Sequence, residues 1–241
     1  MRKLYKNLLI TGWVVVFMGS LIANLPATLV DKLITKYSDN RLDLYNVQGT
    51  LWSGSGLLVA SDPVTGDSSP LILVDWKLSL GFTHYVTLSL TTGKTPVAKA
   101  FIDKAGAHLS GLDLYLSLIQ ISKVVPFVKN MGISGNVHLL ASQIDVGKKL
   151  SGDIKLILDN ISANIVPINP LGDYQVSYNL GTSGIKLITI TPDVLDLSGD
   201  GNLNSLELRA KVVDAAKDKM AQYMTAMGQP NSDGSYNIKV F

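Results

Sequence analysis

The spacing of hydrophobic and polar positions changes twice along this chain. From Leu8 to Leu25 no residue is charged, and only Thr11, Ser20 and Asn24 are clearly polar. As a helix those eighteen residues would rise roughly 27 Å, close to the hydrocarbon thickness of a bilayer. The run has no polar face, which separates it from a buried helix of a globular domain. Leu8, Trp13, Phe17, Leu21 and Leu25 run along its length, Arg2, Lys3 and Lys6 precede it, and the first charge after it is Asp31. Basic residues resist translocation, so the pattern predicts a cytoplasmic start and an exported remainder. A cleaved signal peptide would need small residues at -3 and -1 of the cut. Cleavage after Ala23 or Ala27 would instead put Leu21 or Leu25 at -3. The expectation is therefore an uncleaved signal anchor. Residues 1–7 form a cytoplasmic basic start, 8–26 a transmembrane segment and 27–241 a periplasmic β domain.

Leu29, Val30, Leu33 and Ile34 keep helical spacing and predict a second helical stretch over 27–36, with Pro26 at a kink. The period then falls to two. Leu42 and Leu44 alternate with Asp43 and Tyr45. Gly49, Gly54 and Gly56 surround Leu51 and Trp52, which predicts a bend with the indole beneath it. Ile72, Val74, Trp76, Leu78 and Leu80 share one face of the clearest strand, and Trp52 and Trp76 are its expected core anchors. Alternation returns at 86–90, 98–102, 112–118, 135–141, 152–158, 174–180 and 185–190, with a short pair over 194–208 and a last strand over 236–240. One apolar and one wet face is the mark of an antiparallel sheet solvated on one side. Two stretches break the rhythm. Residues 119–131 predict one short helix or two turns ended by Gly132. Residues 209–228, with Val212, Ala216, Met220 and Met224 at helical spacing, predict a helix stopped by Gly228 and Pro230.

A Ser-Gly phrase recurs at Gly111, Gly135, Gly152 and Gly199, in steps of 24, 17 and 47 residues. It reads as one hairpin device reused at strand entries rather than a strict repeat. The predicted fold is mainly β: an N-terminal transmembrane helix, then one curved, largely antiparallel meander. One or two helices cover the sheet, which closes partly into a barrel or stays open as a groove.

Composition narrows the chemistry. Beyond residue 30 the chain holds 18 basic and 19 acidic residues, so it lacks the basic stripe of a nucleic-acid surface. Eighteen acids are Asp and only Glu207 is Glu, which suits turns and strand ends. The absence of cysteine excludes a thiol nucleophile and a zinc-thiolate site. His84, His108 and His138 have no mutual ligand spacing and read as exposed strand or turn residues. Asp145 and Asp103 are within reach of histidines in sequence only. Gly54-Ser55-Gly56 echoes a nucleophile elbow but leads into a strand, not a helix. No catalytic residue, cofactor or metal site is expected.

The ordered features resemble a known family. They are a basic start, one membrane helix ending in Leu25-Pro26-Ala27, and the turn Gly49-Thr50-Leu51-Trp52-Ser53-Gly54. A strand with central Trp76 follows, then a Pro-containing helical stretch reached from Leu112, and a final Asp233-Gly234-Ser235-Tyr236 strand. This is similar to protein N of the bacterial type II secretion system. The resemblance implies a non-enzymatic, single-pass inner-membrane accessory of the machine that exports folded proteins across the outer membrane. Its expected partners are inner-membrane subunits of that system. A second reading stays open: an anchored β-groove protein that binds or transfers lipid, because the apolar face of a long sheet needs a cover.

Overall fold

The computed structural model describes residues 2–122, 124–164, 166–202, 204–225 and 230–239; the side chains of 2–10, 126, 127, 131, 221, 225 and 239 fall outside that description. Helix α1 (Arg2–Ala23) opens the chain, and α2 (Thr28–Tyr37) follows the break at Pro26. The strands then come as β1 (Leu42–Gly49), β2 (Ser53–Ser61), β3 (Ser68–Leu80), β4 (Val86–Thr92), β5 (Thr95–Ile102) and β6 (Ala107–Ser117). Two short helices, α3 (Leu118–Ser122) and α4 (Pro126–Met131), interrupt them. Next are β7 (Ile133–Val146), β8 (Leu150–Ala163), β9 (Gly172–Asn179), β10 (Gly184–Thr191), β11 (Leu195–Asn202) and β12 (Ser205–Val212). A 3₁₀ turn (Asp214–Ala216), α5 (Lys217–Thr225) and β13 (Ser235–Lys239) complete the order.

All 13 strands form one antiparallel sheet in strict sequence order. Each strand pairs with the one before it, so the sheet is a single meander whose edges are β1 and β13. Registered partners share a face. One row runs Leu114, Leu139, Leu156, Val176, Leu187, Gly199, Leu208, Ile238 across eight strands. The row behind it holds Lys155, Ser177, Lys186, Asp200 and Glu207. The period-two pattern has thus sorted the sheet into an apolar and a wet face.

Helices cover the apolar face at three places. Val30 and Ile34 of α2 pack toward Leu44 and Trp76. Leu118, Ile121 and Val128 from α3 and α4 meet Val137, Ile161 and Tyr174. Met220 and Met224 of α5, both almost fully buried, pack with Val194, Ala210 and Val212. The cover is incomplete. The accessible surface is 15,582 Å², against the ~10,500 Å² that the area–mass relation gives a compact monomer of 25.9 kDa.

Two expectations are corrected. Residues 209–212 belong to β12, not to a helix. Leu206, Leu208, Ala210 and Val212 keep period two and pair with β11, so the helix begins only at Lys217. Met227, Gly228 and Val240, the expected helix end and last strand residue, lie outside the described residues. Of the Ser-Gly glycines, Gly135 and Gly152 lie at the entries of β7 and β8, as expected, whereas Gly111 and Gly199 lie further inside β6 and β11. Gly111, Gly135 and Gly152 take φ of +62°, +136° and +132°, and Gly135 marks a register shift between β7 and β8, whereas Gly199 pairs regularly. Among the described residues no helix is long and apolar enough to cross a membrane. The described side chains of α1 begin at Thr11, so Arg2, Lys3, Lys6 and Leu8 lie outside them. From Trp13 to Met18, and at Leu21 and Ile22, the large apolar side chains of α1 are each more than half exposed.

Candidate functional site: an apolar groove beneath α2

The turn between β1 and β2 builds the site. Gly49 takes φ of +93°, a conformation a side chain would strain, and Thr50 bridges back to Pro26. Leu51 N donates to Leu25 O at 2.8 Å, and Ala27 N donates to Gly49 O at 3.3 Å. The Trp52 indole Nε1 donates to Ile22 O at 2.8 Å. Carbonyls at the end of α1 lack intrahelical partners, and this turn supplies them. Trp52 is therefore half-buried against the end of α1 and is no core anchor, contrary to expectation. Trp76 takes that place. It is 5% exposed, its Nε1 donates to Leu51 O at 3.2 Å, and its ring lies where a Cβ on Gly54 would come within 2.5 Å of Cζ2. Gly54 is glycine because the Gln48 carbonyl and the indole together leave no room for a side chain.

Over this floor α2 forms a roof. The Asp31 carboxylate accepts from Leu44 N at 2.8 Å, which satisfies an outward N–H of the edge strand β1. Thr35 Oγ1 donates to Asp43 at 2.9 Å, and Asp43 also accepts from Ser61 Oγ. Roof and floor enclose a groove of about 490 Å³. Val30, Leu33 and Ile34 line it from α2, with Leu42, Leu44 and Leu58 from β1 and β2, and Leu51 from the turn. Val74, Trp76 and Leu78 from β3 and Leu88 and Leu90 from β4 complete the lining. Every lining residue is apolar, so the groove offers shape and dryness but neither charge nor catalysis. Its size lies in the ~300–1,000 Å³ range of small-molecule sites. The helical spacing of Val30, Leu33 and Ile34 was legible in the sequence; that these residues roof a cavity was not.

His84 lies exposed in the bend before β4, as expected, whereas His108 and His138 are more buried than expected. His108 is largely buried, with Nδ1 2.6 Å from Asp145 and Nε2 3.2 Å from Asp103, and it stacks on Phe101. Strand pairing brings these acids together: β6 aligns His108 with Asp145 on β7. Both ring nitrogens face carboxylates, so both must donate, and this favours the imidazolium. The Asp145 hydrogen bond, opposed by burial and reinforced by Asp103, raises the His108 pKa. Asp145 is lowered, first by Gln143 and then by His108. Asp103 is lowered, first by the Ala105 N–H and then by His108. His138 bonds Asp113 at 2.7 Å and stacks on Tyr115. Among the described residues no three such side chains are grouped to hold a metal ion. Ser53 and Ser55 lie on β2, opposite Lys77 and Asp75 of β3, with no histidine paired to either.

The family model for type II secretion system (T2SS) protein N matches residues 40–239. The chain belongs to that family. The match takes in all thirteen strands and the Gly49–Gly54 turn, so the floor of the groove is family sequence while α1 and the roof α2 lie before it. Comparison with curated proteins and with solved structures finds no match. Membership in the protein N family implies interaction with other components of the secretion system.

Two outcomes follow from these placements. In urea unfolding, Trp76→Ala should cost about 3–5 kcal/mol, the loss for a buried Trp. Trp52→Phe should cost only about 1 kcal/mol, the worth of one hydrogen bond. Equal costs would show that Trp76 is not the floor of the turn.

The His108 cluster should make stability depend on pH. A raised histidine pKa stabilises fully below the free value of 6.5, and that contribution is lost as pH rises through the folded value. The lowered acids stabilise above their free value of 3.8, and theirs is lost as pH falls through the folded values. The urea midpoint should therefore be higher at about pH 5 than at about pH 8, and His108→Gln should flatten that difference. A wild-type midpoint that is equal or higher at the alkaline end would contradict the paired imidazolium.

Proposed function

We propose that this chain is a non-enzymatic accessory subunit of a bacterial type II secretion machine, which moves folded proteins across the outer membrane. The observation that carries this reading is the family match over residues 40–239, which spans the entire sheet. In this reading α1 holds the chain in the inner membrane with its N-terminus in the cytoplasm. The support is the uncharged stretch from Leu8 to Leu25 with Arg2, Lys3 and Lys6 before it, together with the exposed apolar side chains of α1 from Trp13 onward. The sheet then works in the periplasm, with inner-membrane subunits of the machine as its partners.

The wet face and the free edge suit protein contact. Lys186, Asp200, Glu207 and Arg209 place both signs of charge across β10 to β12, a mixed surface that favours register over bulk adhesion. β13 has β12 as its one ladder partner among the described residues, so its outer edge presents backbone groups to a neighbouring strand.

Photocrosslinking in cells tests the proposal. A probe at Asn237 on β13 should capture inner-membrane secretion subunits, and deleting the gene should lower the export of folded cargo into the medium. Unchanged export together with no subunit adduct would sink the reading.

A further inference from the structure

We infer that the groove beneath α2 holds an acyl chain of an anionic phospholipid drawn from the bilayer in which α1 sits. It rests on the membrane placement of α1 proposed above and goes beyond it, since a scaffold subunit needs no cavity.

Three observations converge on that occupant. First, the lining is wholly apolar and the volume is about 490 Å³. A peptide strand would bury its N–H and C=O groups there without partners, at a cost of a few kcal/mol each. A hydrocarbon chain carries no such groups. Second, the groove lies at the end of α1. Leu51 lines it and at the same time bonds Leu25 O, while Trp52 bonds Ile22 O. The exposed apolar side chains of α1 reach Ile22, so apolar surface passes from the helix to the turn and into the cavity. Third, two lysines stand beside the exposed part of the lining. Leu33 lines the groove yet is 49% exposed, and Lys32 and Lys36 are exposed on the same helix, one residue before it and three after. Asp31 and Asp43 are held in place by Leu44 N and by Thr35 and Ser61, so neither reaches toward the lysines. A chain in the groove would leave its headgroup phosphate near the ammonium groups of Lys32 and Lys36, the second of which lies over the Tyr37 ring at 6.0 Å. In this arrangement α2 is the lid, hinged at Pro26 and latched by the Asp31 and Thr35 contacts.

The test uses the full chain reconstituted in nanodiscs containing phosphatidylglycerol with a diazirine in one acyl chain. Illumination should place adducts on Trp76 and on Leu88 or Leu90 as well as on α1. Filling the groove with Leu58→Trp or Leu90→Trp should cut the groove adducts at least tenfold and leave those on α1 unchanged. A second readout needs no adduct. In a Trp13→Phe, Trp52→Phe background, phosphatidylglycerol with brominated acyl chains should quench the remaining Trp76 fluorescence. Removing both charges with Lys32→Gln and Lys36→Gln should lower groove labelling by a factor of five or more, since each basic group at an anionic surface is worth roughly a factor of five.

Adducts confined to α1, or groove adducts indifferent to filling, overturn the inference. Equal labelling by a phosphatidylethanolamine probe overturns the anionic assignment. A photoreactive residue at Leu33 that captures a protein and no lipid assigns the groove to a partner helix instead. None of these outcomes bears on cargo export or on the β13 contact, so the secretion role stands or falls separately.

Discussion

The contact between the Trp76 indole and the Gly49–Gly54 turn underlies much of this structure. The ring, with the Gln48 carbonyl, fills the space that a side chain at Gly54 would need, and the ring N–H holds Leu51 O. The turn so supported reaches the end of α1 through Leu51, Trp52 and the Thr50–Pro26 bridge. One aromatic residue thereby couples three things: the bend between the first two strands, the seat of α1, and the floor of the groove. The coupling is economical because the same carbonyls that a helix end leaves orphaned become partners of the turn.

The second constraint is the arithmetic of a one-layer sheet. Thirteen strands in sequence order generate a long apolar face, yet α2, α3, α4 and α5 together cover only parts of it. The half-buried row from Leu114 to Ile238 and the large accessible surface express the same deficit. Such a face is stable only where something apolar lies on it. Beneath α2 the deficit becomes a defined cavity, and this is where the fold leaves room for another molecule.

Much of this was legible in the residues, for physical reasons. Period two reveals strands wherever one face is wet, and the alternation at 72–80 and 112–118 maps directly onto β3 and β6. The Pro-broken stretch over 119–131 is two short helices because Pro126 starts the second and Gly132, at φ +59°, ends it. Residues 209–212 misled because a period of two and a period near four share positions when Ala and Val alternate with Lys and Arg, and pairing to β11 decided the matter. Trp52 misled because size suggests a core, whereas its N–H is needed at the end of α1. The partners of His108 were hidden for a different reason: Asp145 lies 37 residues away and meets it only through the β6–β7 register. The groove was hidden likewise, since its roof and floor come from separate elements whose approach is tertiary.

The seat of α1 on the turn is open to a direct test, because the chain has no cysteine to interfere. Pro26 and Thr50 form an antiparallel bridge, and such pairs lie about 4.5–5.5 Å apart at Cα, within disulfide range. A Pro26→Cys, Thr50→Cys variant, expressed in membranes and oxidised mildly, should close one intrachain bond in nearly every molecule. That result would place the β1–β2 turn at the end of α1. Cysteines that remain open to alkylation after oxidation would show that helix and sheet are not joined there, and the groove would lose its connection to α1.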